Sequence, residues 1–401
     1  MATAAKQASG GTRLSWLDSM KGLSILWIAF FHFFGTYANG RFPSALDRQY
    51  FSPFLQQCAP TSTLETLGCV AQGLYVAVSS VGFHAVAVFL ILSGFGLTFS
   101  LARTGEPDGG WRGWYRGRLL RLFPMYWLAH LIYLVSPFIL RPEPVDYRFF
   151  LSLLGDRVWP VDTIFYYINP AWWYFGLLVE LYLVFPLLFR LLQKMGPTGF
   201  LIFCGAATLL SRYLLLMVLG AHGYYVQGAF FGARLWEFAA GMVLGWFYRR
   251  NQAAAQEWLF TGRTFFTGVL IYVLGLYSYN STVLYIFTDA LIGTGLFIIL
   301  AHVSIWADLL PRLGRMFAYV GAFSYGLYLL HQPYVIYFGE RVRDLNLLTV
   351  SLVGWGIIAG LTVCAIPLER YVNQLTSRVL DRKKDGAQLA AVSQKQATAG
   401  G

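Results

Sequence analysis

Charge is scarce in this chain. Lys, Arg, Asp and Glu make up 12% of its 401 residues, against about 25% in soluble domains, which excludes a surface facing mainly water. Cysteine is scarcer still, with four residues and no Cys/His spacing that resembles a zinc site, so no metal is expected. Cys204 and Cys364 fall in apolar runs. Cys58 and Cys69 share a polar stretch, where a disulfide and two free thiols are equally open. The first twenty residues lack the apolar core of a cleavable leader, so the first apolar run is expected to stay and anchor the chain. No internal repeat and no second soluble domain is visible.

What is abundant is apolar and aromatic. Hydrophobic residues reach 57%, aromatics 18%, and the mean hydropathy is +0.54. This composition predicts an all-α, polytopic integral membrane protein. Apolar runs of about 17 to 25 residues predict about ten helices: Gly22 to Ala38, Gln72 to Leu101, Leu122 to Leu140, Ala171 to Leu192, Gly199 to Leu219, Phe230 to Tyr248, Phe265 to Tyr279, Thr282 to His302, Phe317 to Phe338 and Leu347 to Leu368. The second is open to division, since Ser79, Ser80 and Gly82 interrupt it. The net charge of +11 sits in short blocks between these runs, the pattern of membrane topology rather than of nucleic-acid binding. Cytoplasmic termini put 21 of the 30 Lys and Arg inside, seven outside and two, Arg212 and Arg234, within spans. The expected organisation is a cytoplasmic tail over residues 1–16, a membrane domain over 17–380 and a disordered cytoplasmic tail over 381–401. Longer outer loops then run from about Asn39 to Ala71 and from Arg141 to Pro170.

Chemistry is expected where ionisable groups enter apolar runs, because they are costly there. In "LDSMKGLSILWIAFFHFF" the eleven steps from Lys21 to His32 place both on nearly one helix face, roughly 16 Å apart, with Asp18 within about 40° of His32. A neutral imidazole near the bilayer centre suits proton transfer; a histidine that merely bridges two helices is the equal alternative. In "WYRGRLLRLFPMYW", Arg118 and Arg121 share one side of a helix and are matched to phosphate oxygens, or else to lipid headgroups. Arg112 and Arg116 read as topology signals. Glu180 is a lone carboxylate in an apolar span, serving His32 or the acceptor, or pairing with Arg212 or Arg234. Arg234 and Glu237 at i and i+3 are expected to satisfy each other, and Asp289 to serve Arg212. Ser93 reads as a small packing residue. His84, His130, His222 and His302 have no motif context. Trp172, Trp173 and Tyr174 read as interfacial anchors that can also stack on a sugar.

Taken in order, these landmarks resemble the membrane acyltransferase family 3. The opening Asp, Lys and His are Asp18, Lys21 and His32; "VFLILSGF" gives Ser93, Gly94 and Phe95; "RLLRLFPMYW" gives the paired arginines; "AWWYFGLLVELYLVFP" gives Glu180; and "FSYGLYLLHQP" gives Ser324, Tyr325, Tyr328, His331 and Pro333. One departure is Ala87, where many members carry an acid six positions before the Ser. The resemblance implies an acyltransferase of the cytoplasmic membrane with no permanently bound cofactor. Acyl-coenzyme A, acetyl-coenzyme A above all, is the implied co-substrate, held by Lys21, Arg118 and Arg121. His32 is then a general base or a transient acyl carrier, with Glu180 as its catalytic companion and Asp18, Ser93, Ser324, Tyr325 and His331 in support. The implied acceptor is a hydroxyl of an extracytoplasmic glycan, polysaccharide precursor or lipid-linked oligosaccharide. Membrane lipids and a polysaccharide assembly machinery are the implied partners. The rival from another class is a glycan transporter or flippase, with a scaffold subunit behind it.

Overall fold

Inside a bilayer no water serves the backbone, so a spanning chain satisfies its N–H and C=O groups within helices. The structure, a computed structural model, describes residues 14–38, 46, 63–107, 109–221 and 223–399. Cys58, His222 and most of the first long loop lie outside the described residues. Among the described residues every regular element is helical, and the chain is an all-α membrane protein. The principal helices are α1 (Ser15–Ala38), α2 (Thr63–Ser80), α3 (Ala85–Leu101), α4 (Gly110–Val135), α5 (Trp173–Tyr213), α6 (Leu235–Arg250), α7 (Gly262–Ser278), α8 (Thr288–Asp308), α9 (Pro311–Ala322), α10 (Ser324–Arg341) and α11 (Leu347–Ala399). α1 is central and packs on α3, α8, α9, α10 and α11.

Five helices are long and apolar enough to cross a membrane, six if the pair Gln252–Leu259 and Gly262–Ser278, bent by 61°, counts as one crossing. Ten were expected. The helices that fall short of this test are charged or brief: α4 carries Arg112, Arg116, Arg118 and Arg121 in its first half, and α6 has 16 residues.

Two expected runs are broken, each for a local reason. The second is divided, with a short 3-10 turn at Gly82–His84 between α2 and α3. A Cβ at Gly82 would lie 2.6 Å from the Phe31 Cβ, so the chain turns there against α1. The fourth and fifth are two helices, as expected, which meet within α5 at a non-helical kink at Gly196 (φ 72°) before Pro197. The ninth is a correction, because α9 and α10 are separate helices broken at Phe323 (φ −123°, ψ 28°). Hydropathy runs on through that break and cannot register it. At the other end α11 continues to Ala399, through the stretch expected to be disordered.

Two glycine-lined crossings set the bundle. A Cβ at Gly94 would lie 2.0 Å from the Phe238 carbonyl oxygen, and one at Gly241 would lie 1.9 Å from that of Ile91, so α3 and α6 touch backbone to backbone. At Gly22 and Gly321 the corresponding approaches are 2.0 Å to Phe317 O and 1.8 Å to Asp18 O, which press α9 onto α1. Small residues permit such approach where no hydrophobic force drives helices together. Gly241→Leu is therefore expected to lower stability by about 1–3 kcal/mol or more, read as a fall in melting temperature and folded yield in detergent. Gly356→Leu, whose added Cβ meets nothing within 4 Å, is expected to leave both unchanged.

The buried charges pair largely as expected. Arg234 reaches Glu237 and Asp289 at 2.8 Å each, and Arg212 also binds Asp289. Removing one partner from such a group costs about 3–5 kcal/mol. Cys69 is disulfide-bonded, whereas Cys204 and Cys364 are free thiols.

Candidate active site

On α1, Lys21, Ile25, Ile28 and His32 follow one another at intervals of four, three and four, which is a single stripe along a helix. All four line one cavity of about 370 Å³. Around that stripe the cavity is walled by α3, α4, α5, α10 and α11, which bring Ser93, Arg118, Arg121, Ser324, Tyr325 and His331 to the same space. Eight of the ten residues singled out from the sequence thus meet in one place.

One end of the cavity is cationic. Lys21, Arg118 and Arg121 line it together with Glu369 and Asn373 of α11. Asp18 stands behind this end, with its Oδ1 3.2 Å from Lys21 Nζ, and steadies the ammonium without lining the cavity. The Arg118 guanidinium lies over the Trp114 ring at 5.4 Å. Among the described residues neither Arg118 nor Arg121 forms a salt bridge, and both line the cavity. Glu369 Oε2 accepts the Gly326 N–H at 2.6 Å, which ties α11 to the first turn of α10.

The other end holds two histidines. The His32 and His331 rings have centroids 5.4 Å apart. His331 is fully buried and its Nδ1 lies 2.8 Å from the Tyr328 carbonyl oxygen, so Nδ1 carries the proton and Nε2 is a bare acceptor with no partner among the described residues. His32 Nδ1 lies 3.2 Å from Gln332 Nε2. Its other nitrogen, Nε2, is left for whatever occupies the cavity. Ser93 Oγ lies 3.4 Å from Tyr174 OH on the cavity wall, and Gly94 beside it makes the close crossing that had been expected of Ser93.

Proline chemistry fixes the wall beside the histidines. Pro333 has no N–H to offer Leu329, four residues earlier, and the freed carbonyl instead accepts Trp172 Nε1 and Asn169 Nδ2, both at 2.9 Å. Tyr328 OH donates to Ala171 O at 2.8 Å and accepts the Phe175 N–H at 3.0 Å. Tyr325 OH donates to Leu122 O at 2.8 Å. These bonds clamp α10 against α4 and the start of α5.

Glu180 does not line the cavity. On α5 the cavity takes Trp173, Tyr174, Leu178 and Tyr182, and Glu180 lies about 200° around the helix from Leu178 and Tyr182. Its Oε2 accepts the Phe231 N–H at 3.0 Å, and neither Arg212 nor Arg234 is its partner. Ala87 leaves no acid at its position; Glu237 packs across Gly293 from it, bound to Arg234. Sequence reasoning passed over Glu369, Asn373, Gln332 and Tyr182. Glu369 carried the same signal as Glu180, a lone carboxylate at the end of an apolar run. The others carried none, because neutral polar residues in spans are common.

A family model described as an acyltransferase domain matches residues 14–369. The chain belongs to the membrane acyltransferase 3 family. It is accordingly an acyltransferase and a multi-pass membrane protein. No curated protein and no solved structure matches it. The family model spans α1 to Glu369, so every residue of the cavity except Asn373 falls within the matched segment.

Proposed function

We propose that this acyltransferase takes an acyl group, acetyl first among candidates, from acyl-coenzyme A and transfers it to a hydroxyl of an extracytoplasmic glycan. The observation that carries the reading is the single cavity that joins three cations at one end to His32 at the other along one stripe of α1. Lys21, Arg118 and Arg121 receive the donor's phosphates, since guanidinium groups match phosphate oxygens. The extended pantetheine arm then runs the roughly 16 Å from Lys21 to His32 and brings the thioester to the imidazole.

The reaction is written on this chain's own groups. His32 Nε2 takes the proton of the acceptor hydroxyl as its oxygen attacks the thioester carbonyl. The carbon–sulfur bond breaks, the new ester leaves, and the proton passes from the imidazolium to the coenzyme A thiolate. Tyr174, Ser93 and the bare Nε2 of His331 hold the acceptor by hydrogen bonds. Both termini are cytoplasmic and about ten helices cross the inner membrane in this reading, which puts the cations on the side where coenzyme A is made.

The test is transfer of radiolabelled acetyl from acetyl-coenzyme A into the polysaccharide and glycolipid fractions of membranes carrying the protein. Label in a glycan fraction, released by mild base as an ester, is the expected result. Saturable donor binding with no label in any glycan or lipid fraction would remove the glycan acceptor from the reading.

A further inference from the structure

Gln332 is buried, with 6% of its surface exposed, and follows His331 on α10. Its amide nitrogen contacts His32 Nδ1 at 3.2 Å, while its Oε1 is buried with no hydrogen-bond partner among the described residues. A buried acceptor left unmade costs about 1–3 kcal/mol, so an unpaired amide oxygen beside an imidazole needs a physical reason. Methionine or leucine would fill the same volume without that cost.

The reason lies in what an amide can do that other side chains cannot. Neutral His32 carries one ring proton: while the Gln332 N–H is donated to Nδ1 that proton sits on Nε2, where no base is then available. The base form with a bare Nε2, and the imidazolium it becomes, both carry a proton on Nδ1 and need an acceptor there. A half-turn of the amide about its terminal bond exchanges Nε2 for Oε1 at the same place, moving no other group. We propose that Gln332 is the positioning residue of His32: turned so that Oε1 accepts Nδ1–H, its amide holds the ring from α10 both as base and as imidazolium and leaves Nε2 bare toward the cavity. The inference rests on the reading of His32 as general base and names the group that orients it.

The surroundings leave this job to Gln332. The titratable neighbour of His32 is His331, whose Nδ1 is committed to Tyr328 O. α3 carries no ionisable side chain. Asp289 of α8 is bound to Arg212 and Arg234, and His84 sits between Tyr272 and Tyr279. Tyr75 of α2 bonds Ser351 of α11. Arg315 of α9 donates to Pro311 O on its own helix at 2.9 Å, and Glu369 of α11 lies at the cationic end. Among the described residues no carboxylate takes the place that it holds behind the histidine of a catalytic triad.

Two variants of the full protein in lipid test this, with the radiolabelled acetyl transfer into membrane glycans as the rate and acetyl-coenzyme A binding as the independent readout. Gln332→Met is expected to lower kcat by roughly tenfold or more with the donor Kd unchanged. Gln332→Glu puts a carboxylate beside Nδ1, which favours imidazolium. A base must be neutral to act, so the acidic limb of the pH–rate profile is expected to move up by roughly one unit or more. A Gln332→Met protein that turns over within twofold of wild type, or a Gln332→Glu profile that superimposes on it, overturns the proposal. Should Gln332→Met lose donor binding through misfolding, the Gln332→Glu profile decides. Failure of the underlying reading is separately visible, because His32→Ala would then retain transfer.

Discussion

Replacing His32 by alanine is expected to reduce acyl transfer by about 10²–10⁴-fold, the span that a positioned general base contributes, while acetyl-coenzyme A still binds. The two effects separate because the stripe on α1 separates them: Lys21 stands at the cationic end and His32 about three turns away. Binding measured by calorimetry or filter retention and transfer measured with radiolabelled donor give the two numbers on one preparation. His32→Ala lies in a cavity wall, so the loss of packing is small and a folded protein is expected. A folded, donor-binding variant that transfers at the wild-type rate would remove His32 from the chemistry. Tight binding without turnover would place the histidine in the reacting step. A joint loss of binding would make it part of the donor site instead.

Replacing both Arg118 and Arg121 by alanine is expected to abolish the donor complex at working concentrations. A hydrogen bond to a charged group contributes about 1.5–3 kcal/mol, so two lost guanidinium contacts weaken binding by roughly a hundredfold or more. The pair follows from α4 re-entering the bundle with i and i+3 residues on one side, both directed to the cavity and neither in a salt bridge among the described residues. Added salt is expected to weaken wild-type binding and to have little further effect on the double variant, since exposed charge is screened within about 10 Å at 0.1 M. Arg112→Ala, a change earlier on α4 outside the cavity lining, is the control and is expected to bind normally. Equal affinity in the double variant and the wild type would mean that the donor phosphates lie elsewhere.

Much of this site was legible before any fold was known, and the reason is helix periodicity. Once Leu17 to Phe34 is read as a helix, Lys21 and His32 must share a face, and the same holds for Arg118 and Arg121. The cost of burying ionisable groups in an apolar run marked the residues to watch. That argument marked His32, which lines the cavity, and it also marked Glu180, which does not line it and accepts the Phe231 N–H. A cost argument tells that a charge needs a partner but not which face of the bundle supplies it. Glu369 shows the converse: it met the same criterion, was passed over, and lines the cavity.

The sequence by itself determined the membrane class, the helical architecture and the register of the groups along α1 and α4, because composition and a period of 3.6 residues act within one helix. Tertiary structure alone decided the break at Phe323, the exclusion of Glu180, and the meeting of Glu369 and Gln332 with residues some three hundred positions earlier. Those outcomes depend on how helices cross. The crossings are set by backbone contacts at Gly22, Gly321, Gly94 and Gly241, where the deciding interaction lies between helices and leaves no mark on the hydropathy of either.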